Sequence, residues 1–384
     1  MKIVLVAGAR PNFMKVAPII DAIRAAKEKG AGLDYALVHT GQHYDAKMSE
    51  EFFKQLGIPE PDINLEAGGG SQAEQTAAIM VRFERYLNDN PCDLVLVVGD
   101  VTSTLACSIV AKKFCIHVAH VEGGIRSGDI TMPEEINRLV TDSITDYFFT
   151  TSAIANANLK REGKLDEQIF FVGNTMIDTL MKNMDRLRKP PLWDEHGLSA
   201  GNYFVMTLHR PSNVDEKEQL ASILSAVKAG GGLPVIFPAH PRTQKNLENF
   251  GISADGFILT EPMSYLEFNF LVKHAKGVIT DSGGITEETT VMGIPCITLR
   301  DSTERPETCS IGTNELIGTN PAAIAPALKK IMDGKWKKGG IPERWDGRAA
   351  QRIVEALEKL IRFLSPSASA PSPSPIRTKS PRPE

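Results

Sequence analysis

The residues best suited to chemistry lie between His120 and Arg138, in the stretch HVEGGIRSGDITMPEEINR. The apolar run Cys115 to Val121 predicts a buried strand that delivers Glu122 at its C-terminal end, where open α/β sheets place their ligands. Gly123 and Gly124 then allow a sharp turn or a close approach to a ligand, and Arg126 offers a fork of donors suited to carboxylate or phosphate. Pro133 predicts a helix start. Glu134 and Glu135 sit by the positive end of its dipole, and Arg138 lies four residues beyond Glu134 on the same face. Glu122, desolvated at a strand end, is expected to hold its proton, whereas Glu134 at a helix N-terminus is expected as the anion. Such a pairing suits acid/base work. A helix cap with surface ion pairs would leave the same pattern.

Further candidates occupy other predicted strand ends. The first strand breaks at Ala7-Gly8-Ala9-Arg10-Pro11, and the following helix, about Asn12 to Lys29, carries Lys15 in its first turn. Free amides with Arg10 and Lys15 make an anion site without the G-x-G-x-x-G fingerprint or a P-loop. Thr40-Gly41-Gln42-His43 follows the second strand; His43 is either a ligand contact or a solvated loop residue. Asp100 ends the apolar run Leu94 to Val98 and reads equally as a reacting carboxylate or as a cap for a helix starting near Ser103. His117 and His120 alternate along a buried strand and read as core or supporting groups. In the second half His209-Arg210 follows a strand directly. Asp281-Ser282-Gly283-Gly284 opens a helix with small residues and free amides, which is a phosphate cradle. Glu287 and Glu288 lie in that helix, where one acidic side chain could bind ribose hydroxyls. Arg300-Asp301 and Glu304-Arg305-Pro306-Glu307 add a further phosphate or ribose clamp.

The elements that must carry these residues are strand-like runs alternating with helical patterns: Lys2 to Ala7, Tyr35 to His39, Leu94 to Val98, Ile116 to Val121 and Tyr147 to Thr150. After a linker at Lys189-Pro190-Pro191 come Tyr203 to Leu208, Pro234 to Pro238, Phe257 to Thr260, Gly277 to Thr280 and Pro295 to Leu299. This alternation predicts an α/β protein with two Rossmann-like halves, residues 1–188 and 189–345. Residues 346–364 form an amphipathic helix that must pack somewhere. The Ser/Pro-rich residues 365–384 cannot bury a core and are expected to be disordered.

Bulk properties set the limits. The chain has 384 residues, 42% hydrophobic and 23% charged, enough for two cores, and a net charge of −4. That balance argues against broad nucleic-acid or anionic-membrane binding. No signal-peptide pattern and no apolar run of the roughly 20 residues needed to span a bilayer are present, which places the protein in the cytoplasm. Five cysteines without C-x-x-C spacing imply neither disulfides nor zinc, and most read as small buried hydrophobes.

Taken together, GARPNFMKVAP, TGQH, VVGD, HVEGGIRS, PEEINR, LHRPSNV, DSGGITEET and ERPE occur in the order found in the non-hydrolysing UDP-N-acetylglucosamine 2-epimerases. The chain resembles that family over nearly all of Met1 to Leu364. The resemblance implies a glycosyltransferase-B-like fold, two Rossmann-like domains facing a cleft that holds a UDP-sugar, a homodimer, and return of the helix before Leu364 to the first domain. Carried over by position, it makes Arg10, Lys15, Asp100, Glu122 and His209 substrate contacts, with Glu134 a further catalytic carboxylate. It makes Phe268, Ser282, Gly283, Gly284, Glu288 and Arg305 the UDP contacts. The implied reaction interconverts UDP-N-acetylglucosamine and UDP-N-acetylmannosamine through 2-acetamidoglucal, without metal or nicotinamide, and supplies activated amino sugar for cell-surface polysaccharide.

Three departures from the family pattern are visible. The segment between Glu122 and Pro133 is short, and Met263 stands where many members have Gln. Gln42, His43 and His240 match parts of the pattern through which some members are activated by a second substrate molecule, but the Arg of that pattern is missing from Ala67-Gly68-Gly69-Gly70-Ser71. A hydrolysing epimerase, releasing free N-acetylmannosamine, and a UDP-dependent glycosyltransferase are the competing readings.

Overall fold

The structure is a computed structural model that describes residues 1–42, 53 and 55–364. His43 and the Ser/Pro-rich tail lie outside the described residues. Seven strands, β1 (Lys2–Ala7), β2 (Asp34–His39), β3 (Ile63–Asn64), β4 (Leu94–Val98), β5 (His117–Val121), β6 (Tyr147–Thr150) and β7 (Ile169–Phe171), form a parallel sheet ordered β3-β2-β1-β4-β5-β6-β7. Six more, β8 (Phe204–Thr207), β9 (Val235–Pro238), β10 (Phe257–Thr260), β11 (Gly277–Thr280), β12 (Cys296–Thr298) and β13 (Asn314–Leu316), form a second parallel sheet ordered β10-β9-β8-β11-β12-β13.

Alternation of side chains along β1 explains why this strand is apolar at every position but one. Ile3, Leu5 and Ala7 face a core shared with the helix Arg10–Glu28, while Val4 and Val6 face a core shared with the helix Gln72–Asp89. In each sheet the chain winds one way and then the other, so the order reverses between β1 and β4 and between β8 and β11. Crevices open at the carboxyl ends of strands at such reversals, and every candidate loop lies at one of those ends.

Two expectations need correction. Cys115 is exposed and precedes the strand: it takes a left-handed φ of 58° and closes the helix Thr102–Lys113, its N–H reaching Lys112 O at 3.1 Å. Cys107 and Cys296 are buried, Cys92 and Cys309 partly so, and all five are free thiols. The short edge strands β3, β7 and β13 were not foreseen, being too brief to show a period.

The helix Ala349–Leu364 packs on the first sheet's core, placing Ile353, Val354, Ala356 and Leu357 beside Ile3, Leu5 and residues of the helix Arg10–Glu28. Its start is capped from elsewhere in the chain. Asp178 accepts the backbone N–H groups of Ala349 at 3.1 Å and Ala350 at 2.7 Å. Just before it, Trp345 is buried and donates its indole N–H to Thr151 O at 3.0 Å. Leu357 is fully buried in this contact, so Leu357→Ala should destabilise the protein by about 2–5 kcal/mol, read as a lower urea midpoint with little change in slope.

Candidate active site

The carboxyl ends of the two sheets face each other across a cavity of about 360 Å³. From the first half it is lined by Pro11, Met14, Lys15, Gly99, Asp100, Glu122, Ile125, Arg138 and Met176. From the second it is lined by Tyr265, Phe268, Asn269, Ser282, Gly283, Gly284, Ile285, Glu287, Glu288, Glu304 and Arg305. Lys15, Asp100, Glu122, Phe268, Ser282, Gly283, Gly284, Glu288 and Arg305, drawn from loops far apart in sequence, are thus brought to one space.

At its centre Arg305 bridges the halves. Its Nη2 lies 2.9 Å from Glu122 Oε2, its Nε lies 2.5 Å from Glu287 Oε1, and its Nη1 donates to Thr151 Oγ1 at 3.4 Å. Lys15 Nζ shares the same Glu122 oxygen at 2.8 Å. Burial alone would push the Glu122 carboxyl up. The two cations outweigh it and hold Glu122 down at about 2, so it is an anion and not the proton holder that its strand-end position suggested. The other oxygen, Oε1, is buried without a hydrogen-bond partner and belongs to a residue that lines the cavity.

Carboxyls that hold their protons more tightly than usual lie on the helix Gly283–Met292 of the second half. Desolvation pushes Glu287 up to about 7 despite Arg305, and Glu288 up to about 7 although the Tyr265 hydroxyl donates to its Oε1 at 2.8 Å. Sequence reasoning noted the tandem but did not assign Glu287. The informative signal was two adjacent acids in an otherwise small and apolar helix.

Local backbone explains the placement of each group. Glu122 has φ of 74°, rare for a residue with a Cβ and costing on the order of 1 kcal/mol, and it turns the chain straight off β5. Gly124 follows with φ of 81°, where a Cβ would come within 2.5 Å of Ala155 O. Asp100 is gripped by Arg138, whose Nε lies 3.0 Å and Nη2 2.5 Å from its Oδ2. Arg138 also pairs at 2.5 Å with Glu135, not with Glu134. Glu135 is buried because it accepts the N–H groups of Ser127 and Gly128, whereas Glu134 is exposed on the first turn and does not line the cavity. Arg126 spends its fork on Asp142 and Glu162.

In the second half the helix Gly283–Met292 starts at Ser282 without a side-chain cap, leaving first-turn amides aimed at the cavity. A Cβ at Gly283 would meet Glu304 Oε1 at 2.5 Å, so a larger residue there would displace the Glu304 carboxylate. His209 is not among the lining residues; its Nδ1 lies 2.8 Å from Asp281 Oδ1. Asp281 is fully buried and also accepts the N–H groups of His209 and Arg210, so it fixes the imidazole rather than facing a ligand. Arg10 is half-buried at the start of its helix, outside the lining. Gln42 accepts from Ser103 N–H and Oγ, and His240 Nδ1 accepts from Arg242 N–H at the start of the helix Pro241–Phe250. Among the described residues no group of three or more His, Cys, Asp or Glu is placed to hold a metal ion.

The raised Glu288 has a consequence for stability. The unfolded chain releases this proton in the ordinary carboxylate range, the folded chain only near 7, so stability falls as pH rises between those values. Gln imitates the protonated form. Glu288→Gln should therefore match the wild type near pH 4 and exceed it by up to about 3 kcal/mol at pH 8.5, measured by urea unfolding at both pH values.

A family model described as UDP-N-acetylglucosamine 2-epimerase matches residues 25–358. A UDP-N-acetylglucosamine 2-epimerase of Methanocaldococcus jannaschii is 39% identical, covering 93% of this chain and 99% of the relative. A UDP-2,3-diacetamido-2,3-dideoxy-D-glucuronate 2-epimerase of Pseudomonas aeruginosa is 38% identical, covering 94% of this chain and 100% of the relative. Among solved structures, the M. jannaschii UDP-GlcNAc 2-epimerase in complex with UDP-GlcNAc and UDP matches with a TM-score of 0.83 at 39% identity, covering 94% and 100% of the two chains. Matched by that model over most of its length and by relatives of the same kind over nearly all of it, the chain belongs to the UDP-N-acetylglucosamine 2-epimerase family.

Proposed function

We propose that the protein is a non-hydrolysing epimerase that interconverts UDP-N-acetylglucosamine and UDP-N-acetylmannosamine by eliminating UDP and adding it back. The observation that carries this reading is the buried cluster in which Arg305 of one half meets Glu122 and Lys15 of the other. C2 of the sugar bears a proton of little acidity, so inversion there requires departure of the group at C1. The C1–O bond to UDP breaks with its electron pair on the nucleotide, a carboxylate takes the C2 proton, and 2-acetamidoglucal remains. UDP oxygen then re-forms the bond at C1 while a second group protonates C2 on the opposite face. The sequence is redox-neutral and consumes no nicotinamide.

Each part has a supporting group. Arg305, Lys15 and the first-turn amides of the helix Gly283–Met292 suit a departing diphosphate, and Glu288 suits the ribose. Asp100 and Glu122 stand on the sugar side, and Glu134 is the third carboxylate of this reading, at the exposed start of its helix. A diphosphate that draws Arg305 and Lys15 toward itself relaxes the hold on Glu122 and raises its basicity when a base is needed. The reading includes a homodimer acting in the cytoplasm to supply activated amino sugar for polysaccharide. No helix among the described residues is long and apolar enough to cross a membrane.

Incubated with UDP-N-acetylglucosamine alone in deuterated water, the protein should give both UDP-sugars, with deuterium at C2 of the product by NMR. Free N-acetylmannosamine as the main product would mark a hydrolase, inactivity without an acceptor would mark a transferase, and a C2 hydrogen retained from substrate would exclude elimination. The likeness to the P. aeruginosa relative makes a UDP-diacetamido-uronate the second substrate for the same assay.

Asp100→Asn, Glu122→Gln and Glu134→Gln should each lower kcat by roughly a hundredfold to ten-thousandfold while UDP binding, measured by calorimetry, persists. Near-normal turnover in Glu134→Gln would reduce the set to the two carboxylates that line the cavity.

A further inference from the structure

Both carboxylate-bearing turns of the first half are tied to one buried pair of side chains, His120 and Asp142. Asp142, in the helix Pro133–Ile144, is fully buried, and its Oδ1 lies 2.6 Å from His120 Nδ1. Its Oδ2 accepts the backbone N–H of Gly124 at 2.9 Å and Arg126 Nη1 at 2.7 Å. His120 is fully buried in β5, and its Nε2 lies 2.7 Å from the carbonyl oxygen of Gly99. A carbonyl oxygen only accepts, so Nε2 carries a proton. Burial pushes the Asp142 carboxyl up, but His120, Arg126 and the Gly124 N–H bring it below the usual range, so it is an anion. The imidazole thus joins the peptide before Asp100 to the helix that also grips the turn after Glu122.

The turns need such a tie. Gly99 has φ of 67° and Glu122 φ of 74°, and a left-handed conformation at a residue with a Cβ persists only where its surroundings enforce it. A buried ion pair is weak evidence for stability, because well-packed apolar residues of the same volume serve a core as well. What this pair supplies that an apolar pair could not is direction: a donor for the carbonyl of Gly99 and an acceptor for the N–H of Gly124.

We propose that His120 and Asp142 are positioning residues that fix the spacing and aim of Asp100 and Glu122 for the reaction. This rests on the epimerase reading above. A misplacement on the order of 1 Å costs roughly a hundredfold in rate. Asp142→Asn and His120→Gln in the full chain should therefore each lower kcat about tenfold to a hundredfold, with KM for UDP-N-acetylglucosamine within about threefold of wild type. UDP affinity should be unchanged, because the groups read as the UDP site lie mainly in the other half. The double variant should be at least as slow as the slower single variant, since His120 holds the Gly99 turn and Asp142 the Gly124 turn. C2 deuterium incorporation should fall in step with kcat.

Variants that melt cooperatively, bind UDP normally and keep kcat within about twofold of wild type would overturn the proposal. So would kcat and UDP affinity falling together, the mark of general loosening. Should Asp142→Asn not fold, His120→Gln decides, because it leaves the Asp142 bonds to Gly124 and Arg126 in place. A wild-type protein inactive on UDP-N-acetylglucosamine would overturn the epimerase reading itself, whereas an active wild type with unaffected variants would overturn only the positioning roles.

Discussion

A guanidinium removed from water must be met by anions, and the arrangement around Arg305 follows from that requirement. Its side chain is 7% exposed, and its partners Glu122 and Glu287 are 4% and 2% exposed. Removing one member of such a group would strand a charge at a cost of several kcal/mol, so the members constrain one another. Because Glu122 and Lys15 come from the first sheet's loops and Glu287 from the second half, this charge balance also brings the two halves into register. The same balance decides protonation. Glu122, with two cations, is held low, while Glu287 and Glu288 with less compensation are held high.

Strand ends supply the places and a single helix supplies the precision. Parallel strands beside each sheet reversal leave their loops on one side, which is why residues as distant as Lys15 and Asp100 are neighbours in space. Fine placement then comes from the helix Pro133–Ile144. Arg138 grips Asp100, Glu135 ties down the amides of Ser127 and Gly128, and the side chain of Asn137 donates to Asp100 O at 2.8 Å. A charged face that would be solvated on most helices is buried here because every charge on it meets a loop.

Much of this was legible before any coordinates. Long apolar strands such as Leu94–Val98 announce themselves, and a helix opened by small residues after a strand, as at Ser282-Gly283-Gly284, marks an anion site by its backbone alone. What was hidden depends on pairing across long separations. Nothing in the stretch around Glu122 shows that Arg305 will lie beside it, and so the local argument from desolvation gave it the wrong charge. Glu134 and Glu135 are alike in sequence, and only the path of the loop through Ser127 and Gly128 decides which one is buried. Cys115 looked like strand because its neighbours are apolar, but the helix before it ends in a left-handed turn that uses that very residue.

Return of the helix Ala349–Leu364 to the first sheet has a consequence for biosynthesis. The core beside β1 is completed by Ile353 and Leu357, residues translated after the whole second sheet. The surface of the helix Arg10–Glu28 that this helix covers can therefore be covered only at the end of synthesis, whereas the second sheet has all its strands once Leu316 has left the ribosome. The first core is thus sealed only as the last described helix emerges.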